Sequence, residues 1–130
     1  SPQGTGDSLV EESYRGLTRP TLVITGTNDK SPRNGKDHLW RREVYDHSPA
    51  GERFLLLIDG AHHGFGGITG ARRFPGSGPA NEEHVNYVRS ASLTLWDAFL
   101  KDDAEAKSWL RTGRFDKATG DKAKLTSKQQ

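Results

Sequence analysis

The stretch "DGAHHGFGG", residues 59–67, sets two histidines, His62 and His63, side by side in a glycine-rich turn. Well upstream, Asp29 stands in a second turn, "GTNDKSP". An unperturbed imidazole titrates close to neutrality, so it can take a proton and give it back under physiological conditions. A carboxylate against one ring nitrogen fixes the tautomer and stabilises the imidazolium that forms. Asp29 and His63 can therefore supply the acid and base of a charge relay. Taken singly, each has a plainer reading. Aspartate before Ser31-Pro32 is ordinary turn chemistry, and a loop histidine is often held by a nearby carbonyl. The pairing is what carries the inference.

The elements flanking these residues should bring them together. "RPTLVITGTND" (19–29) and "FLLLIDG" (54–60) are continuous apolar runs ended by glycine. Runs that do not alternate polar with apolar residues suit strands buried on both faces, the habit of parallel sheets. Between them, "GKDHLWRREVYDHSP" (35–49) predicts a helix of about three turns that Pro49 stops. Strand, helix, strand is one βαβ unit. In open parallel sheets chemistry collects at the carboxyl ends of the strands. Neighbouring strands lie about 4.8 Å apart, so a carboxylate beyond one can reach an imidazole beyond the next.

Residues 66–80, with five glycines and two prolines, read as an extended loop bordering the site. Phe65 and Phe74 could wall an apolar substrate pocket, Phe65 having the alternative of the core, and Arg72-Arg73 could meet an acidic substrate. An amphipathic helix follows, with Asn81 as N-cap and Val85, Val88, Leu95 and Phe99 on its stripe. A second helix opens with Asp102 and Glu105 in capping-box spacing and buries Trp109 and Leu110, with Gly113 as its stop. Trp40, Trp96 and Trp109 are expected to pack. Residues 1–110 form the folded part and 111–130 a basic, flexible tail.

Composition narrows the options. The 130 residues carry a net charge of +2, and residues 111–130 hold six Lys/Arg against two acids, leaving the rest mildly acidic. Basic charge without interleaved aromatics argues against nucleic-acid binding. No apolar stretch approaches the ~20 residues of a membrane span. The absence of cysteine excludes disulfides, thiolate metal sites and cysteine nucleophiles, and leaves the compartment open. A metal centre of His62 and His63 with His47 or Asp59 is disfavoured, because adjacent histidines diverge and no H-x-x-x-H spacing occurs.

"PTLVITGTNDKSP", "FLLLIDGAHHGF" and "SLTLWDAFLKDDAEAKSWL", in this order, resemble the C-terminal part of an α/β-hydrolase, nearest to the dienelactone-hydrolase, cutinase and polyester-hydrolase side of that superfamily. The resemblance spans about residues 18–110. Gly26, Asp29 and Pro32 match the family's G-x-x-D-x-x-P acid turn, and Asp59, Gly60, Ala61 and His63 its D-G-A-x-H setting. It implies an α/β sheet flanked by helices, with Asp29 as acid and His63 as base. His62 takes the variable position, as a lining residue with Phe65 or as a loop-bonded one. The implied reaction is serine-dependent hydrolysis of small-molecule or polymeric carboxylic esters, without a cofactor.

The family orders its triad as nucleophile, acid, base, with the nucleophile on a G-x-S-x-G elbow. That pattern is absent here. Ser77 in "PGSGP" comes closest, but prolines replace the outer glycines and it follows the histidine. The nucleophile is therefore expected upstream of this chain, with the chain alone inactive and completed by the missing N-terminal part of the fold. An aspartate nucleophile, as in dehalogenases and epoxide hydrolases, is an alternative, and a non-catalytic binding module of the same fold is another.

Overall fold

The computed structural model describes residues 1–6, 8–70 and 73–128. The two apolar runs form β1 (Thr21–Gly26) and β2 (Arg53–Ile58), paired in parallel with Val23 opposite Leu55 and Gly26 opposite Ile58. Helix α1 (His38–His47) joins them. The Asp37 carboxylate accepts from the Leu39 N–H at its start, and the chain leaves the helix at Ser48, just before Pro49. The expected βαβ unit is present.

Strand alternation divides the core in two. Leu22 and Ile24 of β1 and Phe54, Leu56 and Ile58 of β2 face helices α2 (Glu82–Leu100), α3 (Ala104–Arg111) and α4 (Arg114–Ala118). Val23 and Leu55 face the other way, against Val44 and Tyr45 of α1 and Tyr14 of a short 3-10 turn. A sheet buried on both faces explains why neither run alternates with polar residues. The result is three layers: α1, the sheet, then α2–α4.

The C-terminal segment corrects the expectation of a flexible tail. Residues 114–118 form α4, and β3 (Ala123–Ser127) pairs antiparallel with β2, Leu125 opposite Leu56. The sheet is therefore mixed, in the order β1-β2-β3. Four of the six basic residues that suggested a solvated tail are engaged within the fold. Lys128 Nζ donates to the carbonyls of Tyr45, Asp46 and Ser48 at 2.9, 2.7 and 2.6 Å, closing the end of α1 with a cation where the helix dipole is negative. Arg111 pairs with Glu52, Arg114 with Glu105 and Lys122 with Glu83. The strand is short, with Ala123 and Leu125 buried between exposed lysine and threonine. Two apolar residues in five make a weak signal beside so many charges.

Two smaller expectations also change. Asp103, not Asp102, caps α3, its carboxylate accepting from Glu105 N–H and Ala106 N–H, while Asp102 takes a left-handed conformation in the bend before it. Trp40 is buried and Trp109 packs against the core, but Trp96 is 55% exposed on α2.

Leu125 tests the third strand. Leu125→Ala should lower stability by about 2–5 kcal/mol in chemical denaturation, the range for a buried leucine. A loss within about 0.5 kcal/mol, as for a surface change, would contradict β3.

Candidate functional site

The site is built where β1 and β2 end. Beyond Gly26 the chain turns at once, the Asp29 N–H donating to the Gly26 carbonyl at 2.9 Å. The two exits are laced together: Asn28 N–H donates to the Ala61 carbonyl (3.0 Å), Gly60 N–H donates to Thr27 Oγ1 (2.7 Å), and that hydroxyl donates to Asp59 Oδ1 (3.2 Å). A Cβ on Gly26 would stand 2.2 Å from the Ala61 carbonyl oxygen, so the two turns approach this closely only because residue 26 is glycine.

The lacing delivers Asp29 and His63 to each other. His63 Nδ1 lies 2.9 Å from Asp29 Oδ1. A carboxylate can only accept, so Nδ1 carries the hydrogen and donates it. Asp29 is fully buried while the His63 side chain remains 24% exposed. The second carboxylate oxygen, Oδ2, accepts from the Thr25 hydroxyl at 3.0 Å inside the sheet. Arg41, buried on α1, places Nε 3.6 Å from Oδ1, and its Nη1 donates to the Pro2 carbonyl. Phe74 meets the imidazole edge-on, ring centres 5.8 Å apart.

Among the described residues, the ring hydrogen-bond contacts of His63 are made at Nδ1, while its backbone N–H donates to the Gly76 carbonyl. Nε2 is thus left for proton transfer. His63 lines a cavity of about 350 Å³ together with Gln3, Ser31, Arg33, Asn34, Trp40 and Arg41. A larger cavity of about 520 Å³ lies between α2, α3 and α4 and includes neither Asp29 nor His63. The smaller one is the cavity that His63 lines, and any proton transfer by its imidazole would need a bound group within hydrogen-bond reach there. Ser1 also reaches the site, its Oγ 3.1 Å from His63 Nδ1. That nitrogen already holds the Asp29 bond, so Ser1 does not occupy the place of a nucleophile, which belongs at Nε2.

The remaining candidates separate. His62 lies under the loop, where a Cβ on Gly78 would meet its ring at 2.4 Å, and it does not line the His63 cavity. Phe65 is buried in the core, with φ +45°, and faces the β1 side instead. Ser77 is absorbed in loop hydrogen bonds, its carbonyl accepting from Gly64 N–H. Arg72 lies outside the described residues, and Arg73 lines a small separate cavity under the loop. Among the described residues no group of three His, Asp or Glu side chains could hold a metal ion, and no helix is long and apolar enough to cross a membrane.

Thr25 and Arg41 carry no site assignment from the sequence, and Trp40 is expected there only to pack. The first two had a trace: Thr25 is a polar residue inside an apolar strand run, and Arg41 sits on the helical face of Val44 and Tyr45. His84, at the start of α2 and bonded to its cap Asn81, is held below its ordinary titration range. Burial is the main cause, and it outweighs a hydrogen bond to the Asp59 backbone and the nearby Glu83 carboxylate.

Comparisons with family models, curated proteins and solved structures found no match.

Thr25→Val should cost about 1–3 kcal/mol, because it leaves a buried carboxylate oxygen without its donor; an unchanged denaturation midpoint would contradict that hydrogen bond. His84 gives a pH dependence of definite sign. A histidine that resists protonation in the folded state lets the unfolded chain bind more protons, so stability falls as pH drops below the ordinary value of 6.5. His84→Gln should flatten the acid side of the stability profile, and an unchanged profile would show that the group is not responsible.

Proposed function

We propose that Asp29 and His63 are the acid and base of a serine hydrolase acting on carboxylic esters, with the serine supplied by a segment outside these 130 residues. The observation that carries the reading is the fully buried Asp29 carboxylate 2.9 Å from Nδ1 of a partly exposed histidine that lines a cavity. In the reaction, His63 Nε2 takes the serine hydroxyl proton as the oxygen attacks the acyl carbon. It then returns that proton to the departing alkoxide. Asp29 holds the ring and stabilises the imidazolium between the two transfers. Water repeats the cycle to release the acid. The resemblance to α/β-hydrolases supports the same assignment on Gly26, Asp29, Pro32 and the Asp59–His63 run.

The outer side of β1 supports a further part of the reading. Among the described residues β1 pairs only with β2, and its free side borders an apolar groove of about 470 Å³ formed by Leu22, Ile24, Val44, Phe65, Ile68 and Val88. An uncovered apolar strand edge is a template for another strand. In this proposal the rest of the fold docks there and brings the nucleophile to Nε2.

The test compares variants in the longer polypeptide that carries the serine. His63→Ala and Asp29→Asn should each lower kcat/KM for a p-nitrophenyl ester on the order of 10³–10⁴-fold, and the unaltered longer polypeptide should label with a fluorophosphonate while His63→Ala should not. The 130-residue chain alone should do neither. Unchanged ester cleavage by His63→Ala would remove His63 from the mechanism. An aspartate in place of the serine, with no fluorophosphonate labelling, would move the protein to dehalogenase or epoxide-hydrolase chemistry.

A further inference from the structure

Arg41 has no part in the proton transfers above, yet it is buried against the carboxylate that directs them. Its side chain is 7% exposed and Asp29 is fully buried. A charge removed from water must be balanced by a partner, or the group surrenders its charge. Two cations can balance Asp29. Arg41 is permanently protonated. His63 becomes a cation only by taking the proton that its role as a base requires it to lack.

The geometry divides these duties. Oδ2 takes the Thr25 hydroxyl at 3.0 Å, and Oδ1 takes His63 Nδ1 at 2.9 Å. Arg41 Nε stands 3.6 Å from Oδ1, too far for a hydrogen bond, and is buried with no hydrogen-bond partner among the described residues. Leaving a guanidinium N–H unsatisfied is costly. The guanidinium is fixed there from outside, by the Pro2 carbonyl on Nη1 and by the Trp40 ring, whose centre lies 5.0 Å from Cζ. It faces Asp29 as a charge, while the hydrogen-bonding positions on the carboxylate stay with Thr25 and His63.

We propose that Arg41 is a positioning residue: its fixed positive charge balances buried Asp29, so that His63 rests as the neutral, Nδ1-protonated base instead of as an imidazolium paired to Asp29. Among the described residues, Lys30 and His62 adjoin the dyad in the chain, and other charged or titratable groups reach it from packed elements. Arg33 lines the same cavity, and the Ser1 amine feels both Asp29 and Arg41. Lys36, its Nζ 5.3 Å from the Trp40 ring centre, donates to the Thr5 carbonyl, and Asp37 is committed to capping α1. Of these, Arg41 alone forms an ion pair with Asp29. The importance of a neutral His63 rests on the hydrolase reading, but its protonation state does not.

The experiment is ¹⁵N NMR of the histidine rings in the 130-residue chain at about pH 7, where an ordinary histidine is mostly neutral. Unaltered protein should show His63 neutral with its hydrogen on Nδ1. Arg41→Lys, which keeps a charge near Oδ1, should show the same pattern. Arg41→Met should raise the imidazolium-to-neutral ratio of His63 on the order of tenfold. A neutral His63 in Arg41→Met, or imidazolium in Arg41→Lys as much as in Arg41→Met, would overturn the proposal. If Arg41→Met does not fold, the unaltered chain still decides, because imidazolium at His63 there overturns it directly. None of these spectra depends on ester cleavage, so the inference and the hydrolase reading fail by different measurements.

Discussion

Asp29 is a carboxylate with no exposure to water, and the surrounding structure answers that one constraint. A buried anion is tolerated only if its oxygens are hydrogen-bonded and its charge is balanced. Three different elements meet the requirement. Thr25 comes from inside β1, His63 from the turn after β2, and Arg41 from the first turns of the helix that joins the two strands. The carboxylate is therefore a joint between all parts of the βαβ unit, and the same contacts that keep it satisfied aim the imidazole.

Parallel pairing makes the joint possible. Gly26 opposite Ile58 brings both strands to an end on the same edge, and each then turns within three or four residues. Backbone hydrogen bonds tie one turn to the other, and the missing side chain at Gly26 lets the Ala61 carbonyl come close. On the far side of β2, β3 and the Lys128 clamp on the end of α1 hold the strand and the helix from the opposite edge. The C-terminal segment is thus part of what keeps α1, and with it Arg41, in place.

Much of this was legible in the residues. The two apolar runs, the helix between them and the turn residues after each glycine were enough to place Asp29 beside His63, because strand order and parallel pairing leave few alternatives. What escaped was polar chemistry hidden in apolar surroundings. Thr25 reads as a strand residue and Arg41 as one of several charges on an exposed helix until their partner is known to be Asp29. The third strand escaped for a related reason. Its five residues alternate, but so many lysines around them look like a solvated tail until Glu83 and the carbonyls at the end of α1 are found to receive two of those charges. His62 and Phe65 were separated from His63 by loop geometry, which glycine-rich sequence leaves open.

The account stands on a hydrogen bond from His63 Nδ1 to Asp29 Oδ1, and proton NMR of that hydrogen is its most direct test. A proton held between an imidazole and a buried carboxylate exchanges slowly enough with water to give a separate downfield resonance. The unaltered protein should show this resonance coupled to the His63 ring, and Asp29→Ala, measured where it still folds, should lose it. Absence of the resonance from the unaltered protein, or its survival in folded Asp29→Ala, would contradict the account.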